Sequence, residues 1–152
     1  MHLVQQKRFK AKTKKRHGAA LVEAAIVLPI LFTIILGVVE FGRGMMVGQM
    51  TVTAARMGAR RSIIDGSTNA DVEEKVQEFL GNSTGVAPGD VEVEIAITPD
   101  PANTTVGNEV ANAEVGDMVS VTVRVPFDKV SWINGMFLSG TKLTGSAVMR
   151  HE

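Results

Sequence analysis

The 152-residue chain has no cysteine, so it holds neither a disulfide framework nor a thiolate metal site. Cysteine-free domains occur in every compartment, so this absence fixes no location. Histidine is scarce as well: His2, His17 and His151 are scattered, two of them near the termini. G-x-S-x-G, H-E-x-x-H and a phosphate-cradling Gly-Lys-Ser/Thr are all missing. There is no internal repeat. Asn82-Ser-Thr and Asn103-Thr-Thr match a glycosylation acceptor, a pattern short enough to arise by chance. These absences point away from an enzyme, and no cofactor or metal is expected.

Acidic residues are missing from the N-terminal stretch. Before Gly18 every charged residue is basic: Lys7, Arg8, Lys10, Lys12, Lys14, Lys15 and Arg16. From Asp65 onward, acidic residues outnumber basic ones by 14 to 5. A formal net charge of zero therefore hides a basic tail and an acidic remainder. A solvated arm or a nucleic-acid arm has this composition too. The tail's position directly before an apolar run favours a cytoplasmic anchor, and no nucleic-acid partner is expected.

The run from Ala24 to Val39 is uncharged and rich in Ile, Leu and Val. Extended back to Ala19 it includes one charge, Glu23, and its length of about 20 residues matches the hydrocarbon thickness at helical rise. The basic flank keeps the N-terminal end in the cytoplasm and sends the C-terminal part across. Pro29 removes one backbone donor, and the kink expected there is tolerated in membrane helices. A secretory signal peptide would need a small-x-small cleavage site after the run. The chain instead reads Glu40-Phe41-Gly42-Arg43-Gly44. A buried helix of a soluble protein is disfavoured by the length of the run and its polybasic flank.

No proline interrupts Arg43 to Ile64, so one helix is expected from about Ala19 to Ile64, its first half transmembrane. Small residues recur four apart at Gly44/Gly48, Ala54/Gly58 and Ala55/Ala59. Such spacing admits a close helix from another subunit, or packing on the chain's own sheet. Asp65-Gly66 closes the helix. Thr68-x-x-Asp71 reads as a capping box opening a second helix with Val72, Val76, Phe79 and Leu80 on one face. Gly81 is its expected stop. Val91, Val93, Ile95 and Ile97 alternate with Glu92, Glu94 and Ala96, and Val119, Val121, Val123 and Val125 with Ser120, Thr122 and Arg124. Both are half-buried antiparallel patterns. A weaker third strand covers about Lys142 to Arg150. The polar stretch Pro99 to Asp117 reads as a flexible insertion outside the core. Val130 to Leu138 carries Trp132, Ile133, Met136 and Phe137 around an Asn134-Gly135 turn; it either folds over the open end of the core or exposes an apolar contact. The fold class is thus α+β: a long N-terminal helix on a small antiparallel sheet. The divisions are 1–18 (leader), 19–64 (helix) and 65–152 (extracytoplasmic domain).

Glu23 requires a reason, because an ionisable group in a membrane helix is expensive. Arg16-His17-Gly18-Ala19-Ala20-Leu21-Val22-Glu23 places Glu at the fifth position after a glycine. This resembles the type IV prepilin processing motif, in which a basic leader ends in Gly and a membrane aspartyl peptidase cuts after it. Three blocks extend the likeness: Gly18-Ala-Ala-Leu-Val-Glu-Ala-Ala-Ile-Val-Leu-Pro-Ile-Leu, then Gly37-Val-Val-Glu-Phe-Gly-Arg43, then Ala54-Ala-Arg-Met-Gly-Ala-Arg-Arg61. Together they resemble the TadE-like family, pilin-like (pseudopilin) components of the tight-adherence, or Flp, pilus machinery. One position departs: Ala24 stands where such systems often carry an aromatic residue.

The resemblance implies a pilin-like fold and a prepilin peptidase cleavage site between Gly18 and Ala19. It implies that Pro29, Glu40, Phe41, Gly42 and Arg43 are family motif positions. Cleavage would expose the α-amino group of Ala19, and Glu23 of a neighbouring subunit would pair with it and set axial register. The function implied is that of a minor pilin or pseudopilin in pilus assembly, secretion and adhesion. Its partners would be the membrane, the prepilin peptidase, the major pilin and assembly platform, and the helices of other pilin-like subunits. The location implied is the plasma (inner) membrane, single-pass with the N-terminus cytoplasmic, with the pilus itself as a further site. The alternative is a membrane-tethered binding or adhesin domain whose ligand surface is the 99–117 loop.

Overall fold

The computed structural model describes residues 17–104, 107–133 and 135–152. The leader up to Arg16, Val106 in the polar loop, and Asn134 of the expected turn lie outside them. Contacts divide the chain between Ile35 and Leu36. One helix, α1, runs His17–Ser62 without interruption at Pro29. In its first part, the hydroxyl of Thr33 donates to the Pro29 carbonyl at 2.9 Å.

From Leu36 onward the chain is α+β. The second half of α1 packs with α2 (Asn69–Thr84) against a three-stranded antiparallel sheet. The strands are β1 (Glu92–Thr98), β2 (Met118–Pro126) and β3 (Lys142–Arg150), in the order β1-β2-β3. β1 and β2 fall where the two Val-rich alternations put them, and β3 where the weaker third strand was expected. Pairing is in register: Ile95 faces Val121, which faces Ala147; Val93 faces Val123, which faces Gly145. Period-two alternation therefore puts Ile95, Ile97, Val119, Val121, Val123 and Val125 on one buried face. The opposite face is wet and carries the ion pairs Arg124–Glu94 and Lys142–Glu92.

The small residues of α1 set how near it lies to that face. Ala54, Ala55 and Ala59 are fully buried. A Cβ on Gly58 would stand 2.9 Å from Val76 and 3.1 Å from Val121. A Cβ on Gly145 of β3 would stand 2.5 Å from the Thr51 carbonyl carbon and from the Val52 nitrogen. Helix and strand backbones thus meet at Gly145, a contact no other residue permits. Of the two readings of the small-residue stripe, packing on the chain's own sheet and on α2 accounts for Ala54, Ala55, Gly58 and Ala59. At Gly48 an added Cβ would meet nothing within 4 Å.

The capping box is present in both directions. The Asp71 amide donates to the Thr68 hydroxyl, and the Thr68 amide donates to the Asp71 carboxylate at 2.8 Å. Val72, Val76 and Leu80 are buried, with Phe79 packed at the margin. The expected stop at Gly81 is wrong. The helix continues to Thr84, and Gly85, at φ 80°, closes it by donating to the Gly81 carbonyl. Only the later glycine adopts the left-handed conformation that ends a helix.

The expectation that Pro99–Asp117 stays outside the core is also corrected. Val110 is buried in the core, and its amide donates to Asn69 of α2 at 2.9 Å. Asp117 is fully buried and gathers the loop around its carboxylate. The amides of Asp100 and Glu114 and the side-chain amide of Asn103 all donate to it, at 2.6–2.9 Å. Polar composition hid a folded segment whose order comes from side-chain-to-backbone hydrogen bonds.

Candidate functional site

The candidate positions fall into two groups on α1. Gly18, Ala19 and Glu23 lie exposed in its first turns. A Cβ added at Gly18 would meet nothing within 4 Å, so local packing imposes no glycine there. Among the described residues, none pairs with the Glu23 side chain. The leucines, isoleucines and valines from Leu21 to Ile35 are exposed as well, and α1 is long and apolar enough to cross a membrane.

The second group follows immediately after the apolar run. Glu40 and Arg43 are one turn apart, and both are buried charges. The Glu40 carboxylate accepts three consecutive backbone amides from the 131–138 loop. Met136 donates to Oε2 at 3.0 Å; Phe137 and Leu138 donate to Oε1 at 2.9 and 2.6 Å. Successive amides turned to one side form an anion-holding nest. Burial by itself would raise the Glu40 carboxyl. The amides of Leu138, Phe137 and Met136, in that order, outweigh it and hold the group below the usual carboxylate range.

Arg43 ties down two other segments. Its Nε donates to the Val130 carbonyl at 3.0 Å and its Nη2 to the Thr84 carbonyl at 2.8 Å. Thr84 is the last residue of α2, so the guanidinium meets a carbonyl left without a helical partner, at the negative end of the helix dipole. The guanidinium also lies over the Trp132 ring, 4.7 Å from its centroid. Phe41 stacks on Phe137 with centroids 6.2 Å apart. Gly42 faces open space. Pro29 belongs to the apolar part of α1 and joins neither group.

The Val130–Leu138 segment divides between its two readings. Val130 is buried and Leu138 packs on the core, whereas Trp132, Met136 and Phe137 remain exposed. Sequence reading named Glu40 and Arg43 as motif positions but missed their partners at 84, 130 and 136–138. Backbone groups carry no sequence signal, and the Glu40 contacts span 96–98 residues. Among the described residues no cluster of His, Asp and Glu is arranged to hold a metal ion.

Residues 18–60 match the family model described as TadE-like protein. The match begins at Gly18, covers both groups of candidate residues, and stops before α2 and the sheet. No curated protein gives a significant match. Nor does any solved structure.

Proposed function

We propose that this chain, TadE-like over residues 18–60, is a minor pilin or pseudopilin-like structural component in assembly of a tight-adherence (Flp) type IV pilus. One observation carries the reading: the family match coincides with a helix whose stretch from Ala24 to Val39 carries no charge and exposes Ile, Leu, Val and Phe side chains. TadE-like proteins are components of the Tad pilus, and an apolar N-terminal helix fits membrane anchoring. The finer proposal is a single pass with residues 1–18 cytoplasmic, 19–64 as anchor and extended helix, and 65–152 outside. The partners are the prepilin peptidase, the major pilin and the assembly platform. The chain's contribution is binding and packing, with no catalysis of its own.

Within this reading, Gly18 is required by the peptidase, since nothing around it in the fold demands a glycine. Glu23 acts after cleavage, pairing with the new α-amino group of Ala19 on a neighbour so that neither charge stays uncompensated in an apolar bundle. The tethered-adhesin alternative has less support, because the 99–117 loop turns Val110 and Asp117 into the interior.

The test is the mass of membrane-extracted protein, alongside a filament count. The native chain should lack Met1 to Gly18, Gly18→Val should retain them, and Glu23→Gln should be processed yet assemble poorly. An intact leader on the native chain removes the processing step. Normal filaments with Glu23→Gln remove the register role.

A further inference from the structure

We propose that loop residues 131–133 and 135–138, with the adjoining face of α1, form a membrane-interface surface whose occupant is the lipid bilayer. The apolar side chains here are open: Trp132 is 73 % exposed, Met45 73 %, Met136 60 %, Phe41 51 % and Phe137 49 %. Contiguous apolar exposure of this kind marks a partner. The level of the patch on α1 identifies it. The Phe137 ring lies 3.3 Å from where a Cβ of Gly37 would stand, and the loop amides are bonded to Glu40. Gly37 belongs to the last turn of the apolar run, which ends at Val39. At helical rise, Gly37 to Arg43 covers about 9 Å. The headgroup layer on each side of the hydrocarbon is roughly 5–8 Å thick. A bilayer that receives α1 up to Val39 therefore meets this loop in its interfacial layer.

The charges agree. Between Glu23 and Arg56 the only charged residues of α1 are Glu40 and Arg43. Both turn inward, onto three amides and onto two carbonyls and a ring. Facing outward, they would hold charges at the membrane edge; facing inward, they leave a surface of Trp, Phe and Met, in which Trp is the side chain enriched at that level and the apolar rings and thioethers are free to enter the acyl boundary. The loop then works as a foot, fixing the depth of the domain at the bilayer surface. The inference depends on membrane anchoring by α1 and is independent of the pilus role.

Trp132 is the single tryptophan and the chain has no tyrosine, so intrinsic emission reports this loop alone. The full chain is reconstituted into phosphatidylcholine vesicles, washed with carbonate, and compared with vesicles brominated at shallow or deep acyl positions. Retention in the washed pellet, blue-shifted emission, and stronger quenching by shallow than by deep bromines are expected. Met136→Asp, a change at an exposed side chain, should stay in the pellet but lose that quenching. Retention with emission unchanged by bromine and fully quenched by aqueous iodide would place the loop in water and overturn the proposal. Retention with protection from both quenchers, and crosslinking through the loop, would assign the surface to another subunit and overturn it equally. Release by the wash would overturn the anchoring itself, which distinguishes that failure from failure of the loop.

Discussion

Gly145→Ala is a single-methyl test of the helix-on-sheet contact. The added Cβ would sit 2.5 Å from two backbone atoms of α1 and 2.6 Å from the Thr51 carbonyl oxygen. These atoms belong to a helix backbone and cannot rotate away as a side-chain tip would. Relief requires α1 to lift from β3 across a face where Val121 and Val123 are fully buried. Overpacking of a tight core costs about 1–3 kcal/mol, and a backbone contact belongs at the upper end. With a urea dependence of about 1–3 kcal/mol per molar, the midpoint should fall by roughly 1 M or more. The assay is urea unfolding of the full chain in mild detergent, followed by circular dichroism. Gly48→Ala is the paired control. It adds the same methyl to α1 where nothing lies within 4 Å, so relief of glycine's helix penalty should stabilise by about 0.5–1 kcal/mol. If Gly145→Ala kept the native midpoint, α1 would not lie against β3 at this distance and the helix-on-sheet packing would be refuted.

Other outcomes follow from the same contacts. The Glu40 carboxyl is held below the usual carboxylate range, so its stabilisation is fully present above the unfolded value of about pH 4 and is lost as pH falls through the lower folded value. Acid unfolding of Glu40→Gln should therefore be flatter with pH than that of the native chain, and equal slopes would refute the nest. Arg43→Lys keeps the charge but loses the planar fork that reaches Val130, Thr84 and Trp132 together; a loss of about 1–3 kcal/mol is expected in the same urea assay. Val110→Ala removes two buried carbon groups and should destabilise by about 1.5 kcal/mol. Protease should then cut the 107–117 segment faster than in the native chain, whereas equal rates would return that segment to the surface.

Where structure follows from local chemistry, the sequence was readable. The uncharged run, the Thr68–Asp71 box and the Val alternations each declare themselves within ten or twenty neighbours, and each lies where the pattern puts it. The misreadings share a cause. Gly81 and Gly85 are both plausible helix stops, and only φ separates them. Val110 is a lone apolar residue in a polar stretch, without periodicity to mark it, yet it is 3 % exposed. β3 was read at its observed bounds, but nothing local shows that its Gly145 is where the strand meets the α1 backbone.

The least legible feature is also the one that gives the motif its physical sense. Glu40 and Arg43 fall inside the segment that matches the TadE-like family model, but every backbone group they bind outside α1 belongs to residues 84, 130 and 136–138, beyond its end at residue 60. The segment therefore supplies two charges that the remainder of the chain must neutralise with main-chain dipoles. Main-chain donors and acceptors impose no side-chain identity, so this requirement can be met by many downstream sequences, provided that a loop and a helix end are delivered to the same turn of α1. Coulomb attraction to a partner side chain would have served less well here. A salt bridge at a membrane edge needs two desolvated charges in register, whereas a nest and a helix terminus bring only partial charges already fixed by the fold. On this argument, the Glu-Phe-Gly-Arg stretch is a clasp: it closes the α+β fold where the apolar run stops, and it leaves that junction uncharged on the outside.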